Sequence, residues 1–397
     1  MGVVVSEGNR NMLETGELLQ RAEAQTGLSD WGEDQTFRIG LDAFVSALNS
    51  AGLPSAGIER ATARILHLLS IRLHLRDDEK QHPEICEQPI EAPLILTGLA
   101  RTGTTILHNL CALDPEGRYP QEWEAASPWP APETATYGTD PRIAQTDAAL
   151  ETLLTALPAL RTMHPWGAQL PADCLNFLAQ HFVCSSFVAN FHVPEYSHWL
   201  ATQYPDGLYR THKRALQQLQ WKGPQGRWIL KEPQHLLNLG QLVDVYPDVA
   251  LVQTHRDPLR TLPSVASLIW TIQSLTKPDL DKHETGRQVL ELFGAHLQRS
   301  LDARKSAGVG ERILDIAYRD TVLDPVGVVR RINEHFGRSF SDEHARRINA
   351  YMAQNPQGKH GEHRYSAEEY GLDEATLRAM VPEYRERFGD FLAEPQR

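Results

Sequence analysis

Between Pro93 and Asp114 an apolar run, a glycine-bracketed loop and an amphipathic helix follow one another without a spacer. Pro93-Leu94-Ile95-Leu96-Thr97-Gly98 has the form of a short strand buried on both faces. In the helix that follows from Thr105, Ile106, Leu107, Leu110 and Leu113 fall on one side, and Pro115 closes it. A strand that feeds at once into a helix commits the chain to an α/β architecture with a parallel sheet. The same rhythm returns downstream. Arg227 to Leu230 reads as a strand, Leu236 to Val245 as a helix and Ala250 to Thr254 as another strand. Asp257-Pro258 then reads as an N-cap with proline at the first helical position, ahead of Leu259, Leu262, Val265, Leu268 and Ile269. Pro263 removes a helical hydrogen bond and predicts a kink that sets the direction of Ser264.

Outside this core the period changes. Leu13, Leu18, Leu19, Ala22, Phe44, Leu48, Ile58, Ala61, Ile65, Leu68 and Leu69 recur at helical spacing, which predicts a helical amino-terminal prefix over 1–90 packed on a domain over 91–397. A mostly helical insertion over about 140–222 carries Phe177, Phe182, Phe187, Phe191, Trp199, Tyr204 and Tyr209. The expected fold class is therefore α/β, a P-loop-like central parallel sheet flanked by helices, with a helical prefix and helical insertions. A polar, glycine-bearing stretch from Asn355 to Tyr370 precedes a last helix near Leu377.

Charge and cysteine usage exclude several functions. With 39 basic against 51 acidic residues the formal net charge is −12, which speaks against nucleic acid or anionic lipid as partner, so any anion must meet a local basic site. The longest apolar runs, such as Pro93 to Leu96 and Val249 to Val252, fall far short of the roughly 18 residues of a membrane span. Met1 to Arg10 lacks the basic-then-apolar pattern of a secretion signal, and Met1-Gly2 with Ser6 is too short an acylation pattern to carry weight. Four cysteines at 86, 111, 174 and 184 form neither a disulfide framework nor a CxxC knuckle, and a cytoplasmic location is expected. Neither His360 with His363 nor His192 with His198 is joined by Cys or carboxylates at ligand spacing, so no metal is expected.

The loop Gly98-Leu99-Ala100-Arg101-Thr102-Gly103-Thr104-Thr105 has the GxxxxG spacing of a phosphate cradle. Its glycines admit close backbone approach, its amides and the helix amino terminus supply positive potential, and Thr104 and Thr105 add hydroxyl donors. Where a nucleotidase places Lys against the β and γ phosphates stands Thr104, and the only cation is Arg101. At the end of a later strand, Thr254-His255-Arg256-Asp257-Pro258 is followed by Ser264, eight residues after Arg256. Taken alone, Arg256 reads as an ion-pair partner of Asp257.

Together the two segments resemble the sulfotransferase family that uses 3′-phosphoadenosine 5′-phosphosulfate, in its bacterial, broadly distributed branch. Ala100-Arg101-Thr102-Gly103-Thr104-Thr105 is similar to the family's 5′-phosphosulfate loop, with Ala and Thr in place of the usual Pro and Ser. The resemblance gives Arg101, Thr102, Gly103, Thr104 and Thr105 to that loop, and Arg256 with Ser264 to the 3′-phosphate. Gly358-Lys359-His360-Gly361-Glu362-His363-Arg364 is similar, more loosely, to the segment that closes over the nucleotide, which brings in Lys359, His360 and Gly361. The likeness is strong over residues 91–270 and weak in the tail. It implies in-line transfer of a sulfuryl group to a hydroxyl or amine of a small-molecule acceptor, with no bridging metal.

For catalysis the resemblance adds Lys231, at a strand end from which the family's lysine reaches the transferring group, beside Arg101. An acceptor proton must be removed, so a general base is required. Glu124, in the Trp-Glu pair typical of the bacterial branch, is the first choice, Glu122 the second, and His235, two positions from the family's usual histidine, the third. The aromatic residues from Trp166 to Tyr209, with Trp123 and Trp129, read either as an acceptor wall or as core. The rival functions are a Mg²⁺-dependent P-loop kinase and a nucleotide-binding protein without turnover. Acceptor identity and oligomeric state stay open, a homodimer included.

Overall fold

The computed structural model describes residues 12–203, 205–306, 308–356, 365–380 and 382–395. Five strands form one parallel sheet in the order β2-β3-β1-β4-β5: β1 (Leu94–Gly98), β2 (Gly117–Arg118), β3 (Arg227–Lys231), β4 (Ala250–His255) and β5 (Ile313–Ala317). Ile95 of β1 aligns with Leu230 on one side and Leu251 on the other. Every residue of β1 and β4 is buried, which is why these strands read as continuous apolar runs without alternation. From β1 the chain goes first toward the β3 side and later to β4 on the opposite side. The carboxyl end of β1 is thus the switch point where an open parallel sheet forms its ligand crevice.

Both faces of the sheet are covered. Leu94, Leu96, Ile229 and Val252 pack with Leu107 and Leu110 of α4 (Thr104–Cys111), and with Val329, Ile332 and Ile348 from the helices Pro325–His335 and Asp342–Gln354. The larger core lies on the other face and joins the sheet to the prefix helices α1 (Thr15–Thr26), α2 (Phe37–Ser50) and α3 (Ser55–Gln81) and to the insertion. Phe44 of α2 stacks on Phe187 at 4.3 Å and meets Tyr196 edge-on at 5.3 Å. A Cβ on Gly40 would stand 2.3 Å from the Phe182 carbonyl oxygen, so a glycine is what lets α2 approach the insertion this closely. Phe177, Phe182, Phe187, Phe191 and Tyr209 are all buried in this core, so most of the aromatic run serves packing and not an acceptor wall. Each such side chain contributes about 1.5–3 kcal/mol through burial. Among the described residues no helix is long and apolar enough to cross a membrane.

Three local departures from the sequence reading have physical causes. The helix expected over Leu236 to Val245 begins at Leu239, because Pro233–Leu237 winds as a tight 3₁₀ turn whose Gln234 amide donates to the Glu232 carboxylate at 3.0 Å. The helix Pro258–Gln273 runs on through Pro263, capped by Asp257 at the Leu259 amide (3.0 Å). β5 was not anticipated, because its five residues carry Asp315 in the middle. That carboxylate accepts from His255 at 2.8 Å and from Arg304, which makes a polar residue tolerable inside a strand.

Candidate active site

The loop between β1 and α4 holds the conformation that its glycines suggest. Gly98 has φ +142° and Gly103 φ +88°, and a Cβ at Gly98 would lie 2.3 Å from Thr254 Oγ1. Arg101 also adopts a left-handed φ of +71°, an unusual position for a residue with a side chain and one that marks a built feature. Thr102 turns inward: its amide donates to Leu99 O at 3.2 Å, and its hydroxyl bonds Leu99 O and Thr254 Oγ1, both at 2.6 Å. Both its groups are thus engaged, within the loop at Leu99 and, through the hydroxyl, with β4 at Thr254. Thr104 and Thr105 open α4, and Thr105 Oγ1 accepts from Lys231 Nζ at 3.5 Å.

The structure brings Arg101, Arg256 and Ser264 together across more than 150 residues of chain. Arg101 Nε donates to Ser264 Oγ at 3.1 Å, Arg101 Nη1 to Met163 O at 2.8 Å, and Arg256 Nη1 to Arg101 O at 3.5 Å. No carboxylate of the described residues pairs with Arg101. Burial lowers its pKa from the ordinary arginine value, and the adjacent Arg256 charge adds to the effect. A half-buried guanidinium facing a second cation is a place where an anion is wanted. Arg256 lies over the Tyr318 ring at 4.1 Å and is paired not with Asp257 but with Glu394 near the carboxyl terminus, at 2.7 and 3.0 Å. Asp257 pairs instead with Arg385 at 2.7 Å.

Beside the loop, at the end of β3, Lys231 is 1% exposed and bonded to Asp173. Asp173 is a member of the site that the sequence did not disclose, and so is His164, which lies close enough to feel the charges of Asp173, Lys231 and Arg101. Although burial opposes ionisation, Lys231 and then His164 hold the Asp173 carboxyl below its ordinary pKa. Glu122, at the start of α5 (Glu122–Ala126), is pushed up to about 8, first by burial and then by the Asp173 charge, with Lys231 working the other way. A carboxyl poised there can take or give a proton near neutral pH.

The other two candidates for a base lie elsewhere. Glu124 is fully buried, accepts from Arg118 Nη2 and Tyr137 Oη, each at 2.7 Å, and caps α5 through the Gln121 amide at 2.9 Å. Both oxygens of the first-choice carboxylate are engaged in holding β2, α5 and the following loop. His235 is wholly buried, with Nδ1 bonded to Tyr209 Oη at 2.9 Å and its ring packed against those of His212 and Tyr209. Lys359, His360 and Gly361 lie outside the described residues. Trp123, fully buried under the Arg142 guanidinium, and Trp129, stacked on His74, are structural as well. Trp166 differs: with Leu160, Met163, Leu268 and Ile272 it forms a small apolar cluster whose Met163 carbonyl touches Arg101.

The sequence model of a family described as the sulfotransferase family matches residues 93–342. The omega-hydroxy-beta-dihydromenaquinone-9 sulfotransferase Stf3 of Mycobacterium bovis is 25% identical over 309 residues, covering 74% of this chain and 75% of its own. The crystal structure of sulfotransferase STF9 from Mycobacterium avium superposes with a TM-score of 0.86 at 30% identity, over 98% of this chain and 100% of that one. For sulfotransferase STF1 from Mycobacterium tuberculosis H37Rv the TM-score is 0.81 at 30% identity, over 96% and 100% of the two chains.

Proposed function

The chain belongs to the sulfotransferase family and is an enzyme of sulfuryl transfer, and from that premise we propose that its donor is 3′-phosphoadenosine 5′-phosphosulfate and its acceptor a hydroxyl or amine of a small, largely apolar molecule. The observation that carries the donor assignment is the convergence of Arg101, Arg256 and Ser264 at the switch point, beside a glycine loop that lacks the lysine of nucleotidases. The 5′ end of the donor lies against the loop amides, Arg101, Thr104 and Thr105, and Arg256 with Ser264 takes the 3′-phosphate after Glu394 yields its place. For the acceptor the support is the apolar cluster of Leu160, Met163, Trp166, Leu268 and Ile272 next to Arg101, together with the menaquinone derivative in the name of the Stf3 relative. The four free cysteines, three of them buried, suit a reducing cytoplasm.

Within this reading the acceptor oxygen bonds to sulfur while the bond from sulfur to the bridging phosphate oxygen breaks, and that oxygen keeps the electron pair. Lys231, held by Asp173 and Thr105, and the loop amides neutralise the charge that grows on the departing phosphate. Glu122 accepts the acceptor proton; its position by Lys231 and Asp173 supports this assignment over Glu124. The sulfuryl group brings less negative charge than a γ-phosphoryl group, so two arginines and a lysine suffice where a kinase needs lysine and Mg²⁺.

Transfer of radiolabelled sulfate to a panel of hydroxylated metabolites, with thermal melting in parallel, tests the proposal. Adenosine 3′,5′-bisphosphate should raise the melting temperature without metal. Stabilisation by ATP with Mg²⁺ alone would identify a kinase. Nucleotide binding without transfer to any acceptor would identify a non-catalytic protein.

A further inference from the structure

Beneath the crevice, three residues from separate segments point polar atoms at one another in the dry interior. Cys174 precedes the short helix Leu175–Ala179, His212 lies on the helix Leu208–Trp221 and His235 on the turn after β3, and their ligand atoms all lie within 4.8 Å of one another. All three are buried, the histidines at 0% exposure. The two imidazoles are oriented alike: His212 Nδ1 meets Tyr246 Oη at 2.7 Å and His235 Nδ1 meets Tyr209 Oη at 2.9 Å. In both rings Nε2 is buried without a hydrogen-bond partner. Two orphaned ring nitrogens beside a buried thiol are costly for a core that gains nothing from them.

We propose that Cys174, His212 and His235 form a buried site for a transition-metal ion of the zinc class. A thiolate with two imidazoles is a donor set suited to that ion, and a second partner on the other ring nitrogen is how ligating histidines are commonly fixed. Tetrahedral coordination asks for ligand atoms roughly 3.3–3.6 Å apart, given bonds of about 2.0–2.3 Å, so atoms within 4.8 Å of one another need draw together by no more than about 1.5 Å on loading. The thiol gives up its proton to solvent as the ion binds. No local pattern marks the site, because its ligands are scattered along the chain and none stands at motif spacing. Its position links it to the crevice: the Cys174 amide donates to Lys231 O at 2.9 Å, and the neighbouring Asp173 holds Lys231 Nζ. A bound ion therefore pins the Asp173–Lys231 pair from below.

The full-length protein is stripped with chelator, reloaded with Zn²⁺ or Co²⁺, dialysed and analysed for metal by mass spectrometry. Wild type should retain about one ion per chain, melt higher with Zn²⁺ but not with Mg²⁺, and show a thiolate-to-cobalt charge-transfer band. Cys174→Ser and His212→Gln should each reduce retained metal to near zero. Metal well below one equivalent in wild type, or equal retention in the variants, overturns the site. If the variants do not fold, absence of the thiolate band in the cobalt-loaded wild type overturns it equally.

Discussion

On α5, Glu124 turns into the protein to meet Arg118, Tyr137 and the Gln121 amide, while Glu122, two residues earlier, lies within reach of the charges of Lys231 and Asp173. Glu124→Gln leaves the buried Arg118 guanidinium without its anion and should lower stability by about 3–5 kcal/mol in urea unfolding, with turnover retained by the folded fraction. Glu122→Gln should do the reverse, cutting kcat about 10²–10⁴-fold while nucleotide affinity stays unchanged in calorimetry. The pH dependence has a definite sign. Glu122 must lose its proton to act, so wild-type kcat/KM should rise as pH passes about 8, and the Glu122→Gln variant should lack that rise. Because the folded-state value lies above the ordinary 4.5, the contribution of this carboxyl to stability is full below that value and is lost as pH rises through about 8. Glu232 titrates in the same window, so the contrast is the flatter pH slope of Glu122→Gln against wild type. In the sequence the two glutamates look alike. The one signal that separates them is Gln121 three positions before Glu124, a capping-box spacing that marks Glu124 as an N-terminal cap partner.

The strand–loop–helix unit was legible as an element because each of its parts is local. A buried strand needs an apolar run, a left-handed turn needs glycine, and a helix needs its stripe. Gly103→Ala tests this directly: at φ +88° a Cβ would come 2.7 Å from the Tyr318 ring, so the variant should lose nucleotide binding as well as stability, read by calorimetry and thermal melting. The segment after β4 was legible for the same reason, and Ser264 does meet Arg101. Asp173 and His164 were not legible, because they come from the irregular stretch between helices of the insertion and reach Lys231 only through tertiary packing. β5 escaped because a strand with Asp at its centre depends on Arg304 and His255, which lie elsewhere in the chain.

For the whole molecule, the carboxyl-terminal segment closes over the end of β4. Tyr384 donates to or accepts from His255 Nδ1 at 2.7 Å, Arg385 pairs with Asp257, and Glu394 pairs with Arg256. A carboxylate on the arginine proposed for the 3′-phosphate competes with it, so Glu394→Gln should tighten adenosine 3′,5′-bisphosphate about 2–5-fold, the scale of a partly exposed ion pair. This contact between distant segments has no counterpart in local sequence pattern. The most direct measurement is calorimetric titration, without divalent metal, of adenosine 3′,5′-bisphosphate and of adenosine 5′-monophosphate into wild type, Arg101→Ala and Arg256→Ala. Arg101→Ala should weaken both nucleotides, whereas Arg256→Ala should weaken the bisphosphate about 10–100-fold and leave the monophosphate unchanged. Equal bisphosphate affinity in wild type and Arg256→Ala would contradict the assignment of the two arginines to the two ends of the donor.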